Sequence, residues 1–248
     1  MMNNPFVLEE KGNIAIIDGR ASSSIVNNLK KRNLEVILTC KCEELYDSIS
    51  YHPDIVIHPI NYNTLMIAPN VFEYYEDIFS YKGFKLIKGE KKLLRNYPDN
   101  IAYNVARVSK YAIHNIRYTD EKLKFYLEKE GISFINVKQG YSKCSTAIIN
   151  NNAIITSDVS IYKESKKYNI DVCLIKQGFI ELPGLNYGFI GGATGMLSQY
   201  EVLFTGNYEE HESKKAIDNF LKKYRLKPIF LSEDKIIDVG SIITLKYN

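Results

Sequence analysis

Along this chain, short β-branched runs alternate with longer amphipathic stretches, and the alternation recurs. Residues 13–18 (NIAIID) predict a strand. Residues 22–32 predict a helix, with Ser22 to Ser24 as caps and Ile25 and Leu29 on one face. Residues 34–39 return to a strand. Each later round adds a strand in front. The second round pairs 54–59 with 64–68 around a turn at 61–63, then runs a helix over 71–81 to Gly83 and a strand over 84–88. The third comprises strands 101–108 and 111–114, a helix 120–130 capped by Thr119 and ended by Gly131, and a strand 133–138. The fourth comprises 145–149, 153–157, a helix 161–167 and 171–176. The fifth comprises 188–191, 201–205, a helix 213–224 and 228–231.

A pair of apolar runs, 236–245 (IIDVGSIITL), is left over at the end, and the first round is one strand short. A period of about 40–50 residues is a repeat spacing. A last segment that completes the first unit is the device of a closed ring. The expected fold is therefore α/β, a five-bladed β/α propeller of ββαβ repeats. A doubly wound sheet is the competing arrangement, but paired strands ahead of each helix favour the ring. No Pro/Gly/Ser-rich linker divides the chain, so one domain over 1–248 is expected.

Composition changes this picture little. The chain is 45% hydrophobic and 25% charged, and its net charge of +3 is spread without a basic stripe. No nucleic-acid partner is expected. No apolar run reaches the roughly 20 residues of a membrane span, and no export signal opens the chain, so no membrane and a cytoplasmic location are expected. Cys40, Cys42, Cys144 and Cys173 then read as thiols. Cys40 and Cys42 lack a second pair or a nearby His, so no metal and no cofactor are expected. The oligomeric state is open.

In such a ring the first strand of each unit leads toward a central pocket, which selects 58–61, 104–107, 143–145, 191–194 and 238–241. Cys144, beside Lys143, is either a nucleophile or a small packed residue. His58 and His114 end inner strands, as bases or as donors to a backbone carbonyl. His52 sits in a turn context and reads as surface; His211 reads as a solvent-facing helix start, and Cys173 as core. The glycine-rich stretch 177–195 suits close backbone approach to a ligand or an ordinary loop between blades. Within it Glu181 is the candidate for a cationic ligand, with Asn186 and Thr194 as polar partners. Asp238, in an apolar context, either meets ligand or caps the turn at Gly240. Asp99 and Asp158 read as turn or cap residues.

Residues 97–114, YPDNIAYNVARVSKYAIH, resemble the P-D-x-x-F-x-x-D/E-x-A-V-V segment of guanidine-modifying enzymes. The ending DVGSIITL resembles their G-G-S-x-x-C-L-T ending. Those enzymes (arginine and agmatine deiminases, dimethylarginine hydrolases and amidinotransferases) share the pentein fold, a five-bladed β/α propeller. The resemblance implies a central pocket, with Asp238 at it, but the standard machinery is missing. The family cysteine falls on Ile243 or Thr244, and no histidine lies between His114 and His211. Asn104 and Val105 stand where acidic residues are expected. The expected function is binding of a small polar metabolite, guanidino or amino-acid-like, through Asn104, Lys143, Glu181, Asn186, Thr194 and Asp238. The alternatives are a divergent enzyme acting on guanidino C–N bonds through Cys144, and a non-catalytic interaction scaffold.

Overall fold

The computed structural model describes residues 4–247. Strand β1 (Ile14–Ile17), helix α1 (Ser23–Lys30) and strand β2 (Glu35–Leu38) open the chain, with the Ser22 hydroxyl accepting the Ile25 N–H as the α1 cap. A helical turn, α2 (Pro53–Val56), leads into β3 (Ile57–Asn61), followed by β4 (Thr64–Ile67), α3 (Phe72–Phe79) and β5 (Lys85–Lys88). The next unit is β6 (Ala106–Val108), β7 (Tyr111–His114), α4 (Glu121–Lys129) and β8 (Ser133–Asn136). Then come β9 (Thr146–Asn150), β10 (Ala153–Thr156), α5 (Val159–Lys166) and β11 (Asp171–Leu174). The last unit is β12 (Thr194–Ser198), β13 (Glu201–Phe204), α6 (Lys214–Lys223) and β14 (Lys227–Phe230), and β15 (Ile243–Leu245) follows.

Among the described residues these strands form five separate three-stranded sheets. Four have the same plan: an antiparallel hairpin whose second strand pairs parallel with the strand after the helix. A helical crossover is what a parallel pair requires. The first sheet has the same plan with a borrowed member. Strand β15 pairs antiparallel with β1, Ala15 opposite Thr244, so the end of the chain supplies the strand that the first unit lacks.

Burial follows this order. The middle strands β1, β4 and β10 are buried at every position, whereas β2, β5, β8 and β14 each bury only their third residue. Continuous apolar runs thus mark strands covered on both faces, and alternation marks the strands that meet water. The first strands of neighbouring units lie together, β6 against β9, β9 against β12 and β12 against β15.

The differences from the sequence expectation are local, and several of them shape the site. Residues 54–59 begin as the helical turn α2, because Pro53 occupies its first position and the Asp54 N–H bonds the Gly240 carbonyl, 3.1 Å away. Only Ala106–Val108 of 101–108 is strand, and the fifth unit begins at Thr194, after 188–191. In 236–245 a single strand forms, β15. The α4 cap is Asp120, whose Oδ1 accepts the Leu123 N–H at 2.8 Å, while the Thr119 hydroxyl goes to His114. Asp158 caps α5, accepting the Ile161 N–H. His211 is buried, its Nδ1 accepting the Ser213 N–H, and Cys173 is only partly covered on β11.

Candidate functional site

Three stretches of backbone deliver a polar cluster to one buried place. The first is the turn into α2, where Pro53 holds His52 extended and places Asp54 in the first helical turn. The second is the segment just before β9, carrying Lys143 and Cys144. The third is the turn 238–241 before β15, with Gly240 at φ +67° and Ser241 at φ +76°. Glycine adopts such angles freely; a serine held there is strained, a condition that clusters at functional sites.

Asp54 is the hub. Its carboxylate accepts from the Cys144 thiol, with both oxygens 3.1 Å from Sγ. Ser241 Oγ donates to Asp54 Oδ2 at 2.5 Å, and the Lys143 ammonium donates to the same Oγ at 2.7 Å and to the Gly191 carbonyl at 3.2 Å. Asn104 ties the frame together. Its Nδ2 donates to the Asp54 carbonyl and to Cys144 Sγ at 3.0 and 3.2 Å, and its Oδ1 accepts the Lys143 and Cys144 N–H groups. All five side chains are buried. Burial, reinforced by Asp54, raises the Cys144 pKa well above the ordinary value, so the sulfur is held as a thiol. A nucleophilic cysteine needs the opposite displacement. Burial lowers the Lys143 pKa against the pull of Asp54.

Asp238 and His52 complete the cluster. Asp238 Oδ1 and Oδ2 accept the N–H groups of Gly240 and Phe189 at 2.9 and 2.8 Å, and burial raises this carboxyl's pKa. Gly192 allows this, since a Cβ there would collide with the Asp238 carboxylate. The same glycine donates to the Cys144 carbonyl and accepts from Val239 and Ser241, stitching the glycine-rich stretch to both other segments. His52 is 1% exposed, yet neither ring nitrogen has a hydrogen-bond partner. Nδ1 stands 3.9 Å from Asp238 Oδ1 and Nε2 3.9 Å from Asp18 Oδ2, too far for a hydrogen bond.

Above this cluster opens a cavity of about 250 Å³. His52, Cys144 and Asp238 line its floor, Tyr46, Tyr141, Tyr187 and Phe189 its aromatic walls, and Leu182, Leu185 and Asn186 its rim. The Tyr46 and Tyr141 hydroxyls are 3.3 Å apart, and Tyr141 donates to Asn100 Oδ1.

The residues singled out from the sequence divide accordingly. Asn104, Lys143, Cys144 and Asp238 come together, and Asn186 stands exposed at the mouth. Glu181 is elsewhere, its side chain 57% exposed and 4.0 Å from Lys235. Thr194 spends its hydroxyl on the Ile190 carbonyl at 3.0 Å and does not line the cavity. His58 packs against Phe6, and His114 bonds Thr119 Oγ1 and the Gly140 carbonyl at 2.6 and 2.9 Å, so both are away from the floor. Three members went unrecognised: Asp54 was read within a strand, His52 as surface, and Ser241 only within its segment. The signal for the first two was Y-H-P-D, a proline that starts a helical turn.

His114 leads to a pH prediction. Burial lowers its pKa to about 4, outweighing the Gly140 contact. The unfolded chain therefore binds a proton that the native state refuses, and stability falls as pH drops from about 6.5 toward 4. Urea unfolding should show about 2 kcal/mol less stability at pH 5 than at pH 7 from this residue. His114→Gln should flatten that slope; an unchanged slope would refute the assignment.

The arrangement of strands and helices is shared with solved proteins of low sequence identity. The chain is similar to SxtG, an amidinotransferase of the saxitoxin biosynthetic pathway from Microseira wollei (13% identity, TM-score 0.61, 93% of this chain and 91% of that chain). It is similar also to the inosamine-phosphate amidinotransferase from Streptomyces griseus (9%, TM-score 0.60, 100% and 97%). A third is DDAH from Pseudomonas aeruginosa in complex with citrulline (12%, TM-score 0.56, 90% and 93%). These likenesses show that the chain shares the fold of these proteins. Residues 16–243 match the family of unknown function DUF6873, and the chain belongs to that family. No curated protein matches the chain.

Proposed function

We propose that the five sheets surround a common axis as a five-bladed ring, and that the cavity at one end binds a small cationic metabolite with a guanidinium or amino head. The observation that carries this reading is the charge of the floor. Two buried carboxylates, Asp54 and Asp238, face a single buried ammonium, Lys143, while the nearby Asp18 is already paired with Arg20 at 2.7 Å. Two carboxylates against one ammonium make the floor acidic, and a buried carboxylate without compensation is costly. A cationic head against Asp238 offsets that cost, since its oxygens retain lone pairs beyond the two N–H groups they accept. The tyrosine and phenylalanine walls suit both the head, through their negative ring faces, and an aliphatic stem.

The names of the structural neighbours support the same ligand chemistry, amidinotransferases and an agmatine deiminase among them. The raised thiol pKa of Cys144 favours binding over nucleophilic attack.

A thermal-shift panel tests this reading. Guanidino compounds and primary amines with aliphatic stems should stabilise the metal-free protein, by about 2.7 kcal/mol at a hundred times the dissociation constant. Carboxylates of the same length should not. Stabilisation by the anions alone would refute it.

A further inference from the structure

We propose that the floor of the cavity is also a divalent metal site, in which His52, Asp54 and Cys144 hold Zn²⁺ with one coordination position open to the cavity. It shares the cluster with the metabolite reading but does not depend on it. Two independent observations support the site. Among the described residues, one donor atom from each of these three buried side chains lies within 4.8 Å of the other two. In addition, both nitrogens of the buried His52 ring lack any hydrogen-bond partner. An orphaned buried polar group costs about 1–3 kcal/mol. A metal bound to one nitrogen removes part of that cost, which the Asp238 and Asp18 carboxylates, 3.9 Å from the two nitrogens, stand too far away to do.

The donors identify the metal. One thiolate, one imidazole and one carboxylate make a set that suits zinc, whose open sites use three protein ligands. Bond lengths of about 2.0–2.3 Å place tetrahedral donor atoms about 3.3–3.6 Å apart. Cys144 Sγ and the Asp54 oxygens are already at 3.1 Å, so the imidazole supplies most of the closing movement. His52 and Cys144 both line the cavity, which puts the fourth position there.

Outer contacts hold two of these ligands. Asn104 donates to Cys144 Sγ, and Ser241, backed by Lys143, donates to Asp54 Oδ2, leaving Oδ1 without a second donor apart from the thiol. Such partners orient metal ligands and tune them. Binding exchanges the thiol proton for the metal: Cys–SH and Zn²⁺ give Cys–S–Zn⁺, and the proton goes to solvent. The metal takes up the negative charge that would attract an organic cation, so the two should exclude one another.

The test uses Co²⁺ on a full-length protein carrying Cys40→Ser, Cys42→Ser and Cys173→Ser, which keeps Cys144 as its only thiol. One equivalent should produce a thiolate-to-cobalt charge-transfer band and the intense visible bands of tetrahedral Co²⁺, both abolished by Zn²⁺. His52→Gln should weaken Zn²⁺ affinity about 100-fold or more, while Asn104→Ala, which removes an outer contact, should weaken it about 10–100-fold. Because the single thiol assigns the band, the result stands even if Cys144→Ser folds poorly. Absence of the charge-transfer band, or its survival in a folded Cys144→Ser protein, would overturn the site. Cobalt is titrated without organic ligand and the metabolite panel is run with chelator, so each proposal fails separately.

Discussion

Replacing Asp54 by leucine should destabilise the protein by about 3–5 kcal/mol, the cost of leaving a buried charge without its partner. The buried Lys143 ammonium is compensated chiefly by this carboxylate, through Ser241, and the Cys144 thiol donates to it as well. A leucine of similar volume silences all three contacts and strands the charge. The companion experiment separates charge from packing. If the loss is electrostatic, Lys143→Met in the Asp54→Leu background should recover most of it, because a buried ion pair replaced by apolar groups of similar size is often neutral. Urea denaturation of the two single variants and the double variant gives the coupling directly. A cost below about 1 kcal/mol for Asp54→Leu, or purely additive losses, would show that Asp54 is not the hub.

The second large effect concerns Gly192. A methyl group there would meet the Asp238 carboxylate, which must then turn away and release the Gly240 and Phe189 N–H groups. Two buried donors left unpaired cost about 2–4 kcal/mol, and the floor of the cavity loses its carboxylate. Gly192→Ala should therefore lower stability and abolish stabilisation by cationic compounds together. Gly131→Ala is the control: it ends α4 at φ +72° with open space around it, so only the left-handed backbone resists, at about 1–2 kcal/mol. Equal effects at the two glycines would contradict the close approach at Gly192.

The repeat was legible because each unit writes its burial into its sequence. Runs such as AIIT at β10 are apolar at nearly every position, and outer strands such as KLIK at β5 bury only one residue in four. The missing first strand and the surplus last one could be matched by counting, and β15 does pair with β1. The site was only half legible. Cys144, Lys143, Asn104 and Asp238 stood out as polar residues at unit starts. Asp54 did not, because DIVIHP has the composition of a strand, and its helical turn depends on the distant Gly240 carbonyl. His52 beside a proline looked like surface, yet it is buried with the distant 238–241 turn packed against it; a Cβ on Gly240 would strike it. Glu181 was the sole charge in a glycine-rich loop, yet the backbone of that loop, rather than its charge, reaches the cluster. Long-range contacts of this kind leave no local periodicity.

The most direct measurement is a calorimetric titration of the metal-free protein with an alkylguanidinium compound, run in parallel on Asp238→Asn. The expected result is saturable binding at one site per chain in the wild type. The variant, deprived of the charged acceptor at the floor, should bind about 10–100-fold more weakly, the equivalent of about 1.5–3 kcal/mol for a hydrogen bond to a charged group. Undiminished affinity in a folded Asp238→Asn protein, or no binding of any guanidino or amino compound to the wild type, would contradict a cation-binding pocket on this fold.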